Sequence, residues 1–134
     1  VEIIHIKDSI VHNLTEKVNN FEFSSLPSNT QKIFMEVASI CDELKSHQDT
    51  FTTTQSLHFD NIVVKRIPQV IQEYITIPEK YRSSLHGKES PDNLLEDSLK
   101  EIKTNLSGLM EQIQEVNINA MKKSNTYLKS MPRL

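Results

Sequence analysis

The stretch Ser90–Met131, SPDNLLEDSLKEIKTNLSGLMEQIQEVNINAMKKSNTYLKSM, decides the fold. Leu95, Leu99, Ile102, Leu106, Leu109, Ile113, Val116 and Ala120 recur at alternating steps of four and three. That spacing puts them on one stripe of an α-helix, the a/d seam of a helix made to pack against other helices. Ser90 stands where a capping side chain belongs, Pro91 at the first helical position, and Asp92 at the positive end of the dipole. A helix of this length spans roughly 60 Å, more than a domain of this size needs, so the remaining helices are expected to lie along it. The seam is expected to be core as far as Ala120. Lys123 then stands at an apolar position before Tyr127, Leu128 and Met131 resume the pattern. The last two turns are expected to project beyond the bundle, with Tyr127 and Leu128 as candidate partner-binding residues.

Upstream, three shorter helical patterns precede this one. Ile3, Ile6, Ile10, Leu14 and Val18 form a stripe from Glu2 to Asn20, and Phe21 and Phe23 are placed to cover the bundle end. After a Ser/Pro/Asn-rich loop, Ser24–Asn29, a second helix capped by Ser28 or Asn29 carries Ile33, Phe34, Val37, Ile40, Cys41 and Leu44 and fades near His47. The polar, β-branched stretch Asp49–Thr54 is expected to break it. A third helix runs from about Thr53 to Thr76 with Leu57, Val64, Ile67, Ile71 and Tyr74 along one side. Pro68 removes a backbone donor there and crowds the carbonyl of Val64, so a kink or a restart is expected. Ile77-Pro78 ends this helix, and Glu79–Glu89 is read as a loop in which Gly87 relieves a turn. The whole is expected to be an all-α antiparallel bundle of three to four helices, one domain over residues 1–134. Because the chain opens on Val1, it is expected to be a piece of a longer protein.

Composition narrows the functional classes. Two glycines among 134 residues argue against an all-β fold with its frequent turns. A net charge of −3 gives no general attraction to phosphate backbones, so nucleic acid is not an expected partner. The single cysteine excludes an intrachain disulfide framework. No apolar run approaches the ~20 residues of a membrane span, and no signal-peptide pattern is present. A cytoplasmic location follows as the expectation, with any membrane contact made through a segment absent from this chain.

Few residues group into recognisable chemistry. His5, Asp8 and His12 share one helical face and have metal-ligand spacing, but that face lies opposite the apolar stripe. Glu2-Ile3-Ile4-His5 is a single Glu-x-x-His, where a di-metal bundle needs two. Gly87-Lys88 lacks the upstream glycine and the following Ser or Thr of a phosphate-binding loop. Cys41 falls inside an apolar stripe, where a small core residue belongs rather than a nucleophile. The cations Lys80, Arg82 and Lys88, with Tyr81 and His86, gather in the Glu79–Glu89 loop, so Tyr81, Arg82 and Lys88 join the candidate partner-binding residues. Pro68, Tyr74, Pro78 and Gly87 are assigned structural roles. No catalytic residue, metal or cofactor is expected.

The segment Arg66–Pro78, RIPQVIQEYITIP, followed by Gly87-Lys88 and the leucine seam from Leu94 to Leu128, resembles the C-terminal part of XpaC-like proteins, bacterial helical proteins named for chloroindolyl-phosphate hydrolysis. The resemblance covers about the C-terminal half. It implies a bacterial origin, membrane association in the full-length protein and, from the family's name, phosphoester hydrolysis. It carries over no catalytic residue, since no phosphatase ligand set or nucleophile motif is present.

Three functions stay open on these residues. The first is a non-enzymatic interaction or scaffold module that binds a protein partner or a second copy of itself. The second is a phosphoester hydrolase or an accessory of one. The third is a sensor bundle that holds a small ligand near Pro68 and Tyr74.

Overall fold

The computed structural model describes Val18 and residues 21–132. The helix expected over Glu2–Asn20, with its His5/Asp8/His12 face, lies outside the described residues except at Val18, which is buried. Four α-helices follow: α1 (Ser28–Ser46), α2 (Thr53–Asp60), α3 (Ile67–Thr76) and α4 (Pro91–Ser130). A π-helical segment, Asn61–Arg66, joins α2 to α3 without a break, so the described chain forms three rods. No β-strand occurs among the described residues, and the fold is all-α.

Three cross-contacts give the directions. Glu36 pairs with Lys103, Gln55 Nε2 donates to Gln112 Oε1 at 3.4 Å, and the Tyr74 hydroxyl reaches Asp92. The α1 rod therefore runs alongside α4 in the same direction and packs directly on it, and the α2–α3 rod runs antiparallel to both. Consecutive rods are antiparallel.

Each boundary has a local cause. Thr52 and Gln55 form a reciprocal capping box at the start of α2. Ser90 Oγ accepts from the Asn93 N–H at 3.2 Å, and Pro91 follows it, as the sequence implies. The start of α1 differs from expectation. The helix begins at Ser28 with Pro27 in the cap position and no side-chain cap, and Gln31 instead donates from Nε2 to Leu26 O at 2.7 Å.

The core contains Leu95, Leu99, Ile102, Leu106, Leu109 and Ile113 of α4, against Phe34, Val37, Ala38, Cys41 and Leu44 of α1 and Phe59, Ile62, Ile67, Ile71 and Tyr74 of the middle rod. Phe21 and Phe23 pack on Phe34, with ring centroids 6.2 and 5.5 Å from its own. Removing large side chains such as Phe34, Leu99 and Leu106 from water supplies about 1.5–3 kcal/mol each.

Two expectations about the core are corrected. Leu57 and Val64 are exposed, and Phe59 and Ile62 take their places. The buried positions 59, 62, 67, 71 and 74 contain one step of five. In an α-helix five residues overshoot a turn by about 140°, given 3.6 residues per turn. The π segment absorbs that step: the Ile67 N–H bonds to Ile62 O, five residues back. It also accommodates Pro68, which sits in the first turn of α3, while Ile67 keeps helical dihedrals of −61° and −51°. Second, the α4 seam is covered only to Ile113. Val116 is 65% exposed, and Ala120 is exposed too. The turn between α1 and α2 lies level with Gln112, so neither described rod extends further along α4.

Candidate functional site

The last turn of α3 is pinned to the first turn of α4. Tyr74 is buried, and its hydroxyl donates to Asp92 Oδ1 at 2.6 Å. Burial pushes the Tyr74 phenol well above its ordinary value, with the Asp92 hydrogen bond and charge adding to the shift and Arg82 opposing it. Arg82 sits 4.9 Å from the Tyr74 ring centroid. Its Nε donates to Ile77 O at 2.9 Å and its Nη2 to Ile75 O at 3.3 Å, so the guanidinium satisfies carbonyls freed at the C-terminus of α3. The Asp92 N–H in turn donates to Arg82 O at 2.9 Å.

This arrangement sorts the loop candidates. Arg82 faces inward and holds the fold together. Tyr81, exposed with Lys80 Nζ 5.1 Å above its ring, and Lys88, also exposed, face solvent. Pro78 follows an extended Ile77, which ends α3, and Gly87 takes a φ of 72° where His86 and Glu89 bridge backbone to backbone. The structural roles expected of Tyr74, Pro78 and Gly87 thus have visible causes.

Beside Tyr74 lies a surface cleft of about 220 Å³ lined by Val70, Tyr74, Ile77, Leu94 and Leu95. It is smaller than the ~300–1,000 Å³ of most small-ligand pockets and open to solvent, not an enclosed chamber between helices. Through Val70, Leu94 and Ser98 it continues into a wider groove between the middle rod and α4, reaching His58 and Asn105. Ile62 and Ile102 contribute apolar surface there. Glu73, Glu89, Asp97 and Glu101 stand around the combined groove against a single guanidinium, Arg66. Asp97 and Glu101 stand on the exposed surface of α4, and the π segment beside them makes them one edge of this groove.

Beyond Ile113 the distal half of α4 presents Val116, Met121, Tyr127 and Leu128, each at least 64% exposed. Tyr127 and Leu128 are therefore exposed as their expected role requires. Met121 lies on the Leu128 side of this surface, while Ile118, 51% exposed, lies on the opposite side of the helix from Tyr127. Lys122, Lys123 and Lys129 flank this surface, and no acidic residue occurs between Val116 and Ser130.

Two further features concern catalysis and membranes. Cys41 is buried in the α1–α4 interface, and its thiol is pushed up to about 12 by burial, with the Asp42 charge adding to it. Among the described residues no group of three His, Cys, Asp or Glu side chains is placed to hold a metal, and no helix is long and apolar enough to cross a membrane. His5, Asp8 and His12 lie outside the described residues. Comparison with protein-family models, curated proteins and solved structures finds no match to this chain.

Proposed function

We propose that this chain is a non-enzymatic helical interaction module whose binding face is the distal half of α4. One observation carries the reading: the seam that is core up to Ile113 continues past it with Val116 and Tyr127 exposed on the same face, interrupted by Lys123. Large apolar side chains left exposed along one helical face and rimmed by polar residues mark interaction sites. The anchoring of α4 by the Tyr74–Asp92 bond, the Ser90 cap and the buried leucines supports the same reading, because it holds the rod's direction fixed.

The test compares the intact chain with Tyr127→Ser/Leu128→Ser by sedimentation velocity over a wide concentration range. Self-association that the double variant loses, with thermal stability unchanged, supports the module. A parent that stays monomeric throughout removes its self-associating form. The hydrolase reading suggested by the XpaC-like resemblance gains no support from the described residues, whose buried cysteine and dispersed acids offer no assembled nucleophile or metal site.

A further inference from the structure

The groove and the distal half of α4 match in length and oppose in charge. Along α4 the groove runs from Pro91 to Asn105, and the exposed half runs from Val116 to Ser130. Each stretch spans about 21 Å of helix rise. The groove carries four carboxylates against one guanidinium, while the distal half carries three lysines and no acid.

The two surfaces of one molecule cannot meet. They lie end to end on a single 40-residue helix. Pairing two distal halves with each other is electrostatically unfavourable, since it sets lysines against lysines with no acid between them. We propose that the groove receives the distal half of α4 from a second copy of this chain and that the exchange is reciprocal. The inference rests on the distal half of α4 being the binding face.

The register makes this definite. Matching Pro91 to Ser130 and Asn105 to Val116 centres both pairs on the step between Met110 and Glu111. An antiparallel two-fold axis at that step seats both distal halves at once and closes the assembly at a dimer. Tyr127 then lies level with Leu94, two large apolar side chains that are 66% and 46% exposed in the single chain. Lys123 lies level with Ser98, within one turn of both Asp97 and Glu101.

Charge reversal tests the exchange on the full 134-residue chain. A tail variant carries K122E, K123E and K129E; a groove variant carries E73K, D97K and E101K. All six positions are exposed, and circular dichroism confirms that helicity is kept. Sedimentation should show a dimer for the parent, association weakened about tenfold or more in each variant alone, and a restored heterodimer when the two are mixed. Leu94→Ala and Tyr127→Ala should each weaken the dimer without charge change. If the groove variant dimerises as tightly as the parent while the tail variant does not, the exchange is overturned and the α4 binding face stands. A complex that grows beyond a dimer overturns the closed two-fold. A parent that remains monomeric overturns the exchange together with the self-associating form of the module.

Discussion

Tyr74 donates its hydroxyl hydrogen to Asp92 at 2.6 Å and so ties the end of α3 to the start of α4 across the longest described loop. Hydrogen bonds to charged groups are worth about 1.5–3 kcal/mol, and half-buried Asp92 regains some water when the phenol is removed, so Tyr74→Phe should cost about 1–2 kcal/mol in urea unfolding. A loss below a few tenths would show that the bond does not hold the two helices together.

The same residue predicts an alkaline limit. The folded chain holds the Tyr74 proton more tightly than the unfolded chain, where tyrosine titrates near 10.0. Its contribution is complete below that pH and shrinks as pH rises above it. Cys41 behaves alike, from an unfolded 9.0 towards a folded value of about 12. Glu36 acts in the opposite direction. Its hydrogen bond to Lys103 holds it below 4.5, so its contribution is present above that pH and fades as pH falls. Denaturant unfolding between pH 8 and 11 should show falling stability; a flat profile would contradict the burial of both groups.

Arg82 offers a test of geometry against charge. Arg82→Lys keeps the cation but cannot span the carbonyls of Ile75 and Ile77 with a planar fork. It should destabilise nearly as much as Arg82→Ala, by about 1–2 kcal/mol on the scale of lost hydrogen bonds. Full stability in the lysine variant would mean that charge alone suffices at this helix end.

The π segment predicts an unusual tolerance. Deleting exposed Val64 converts the five-residue step from Ile62 to Ile67 into four, the spacing of an ordinary α-helix. In a chain that also carries Pro68→Ala, so that no proline is left inside the continuous helix, the shortened rod should fold with the same face buried and stability within about 1 kcal/mol of the Pro68→Ala chain. Deleting Gln72 from α3 instead rotates Tyr74 away from Asp92 and should cost about 3 kcal/mol or more. Equal damage from the two deletions would contradict the π-helical register.

The end of the core can be located by truncation. Leu99→Ala and Leu106→Ala remove fully buried side chains and should cost about 2–5 kcal/mol each. Val116→Ala, three residues past the last buried isoleucine, should change stability by about 0.5 kcal/mol or less. Calorimetry on the three variants decides where α4 leaves the bundle.

The helices were legible because their signals are local. Ser90-Pro91, the Leu95–Ile113 seam, the break within Asp49–Thr54 and the Ile77-Pro78 stop each depend on neighbours within a turn or two. The middle rod was misread at Leu57 and Val64 because a period of 3.6 has no place for a step of five, and the π turn is visible only in its hydrogen bonds. The extent of the core was misread at Val116 and Ala120 for a different reason. A seam shows that a face is apolar, but what covers that face depends on where the other rods end. Arg82 was read as a surface cation because nothing in its spacing reveals the freed carbonyls of α3.

The distal half of α4 also has a folding consequence. A peptide of that length is marginal as a helix on its own, because starting a first turn is costly while extending an existing one is cheap. The buried leucines of the proximal half have already met the starting cost, so the distal turns are an extension whose stability declines with distance from Ile113. Amide hydrogen exchange should accelerate steadily from Val116 towards Ser130. Occupation of the face should then register first as slowed exchange at the far turns around Tyr127, before any change in the bundle itself.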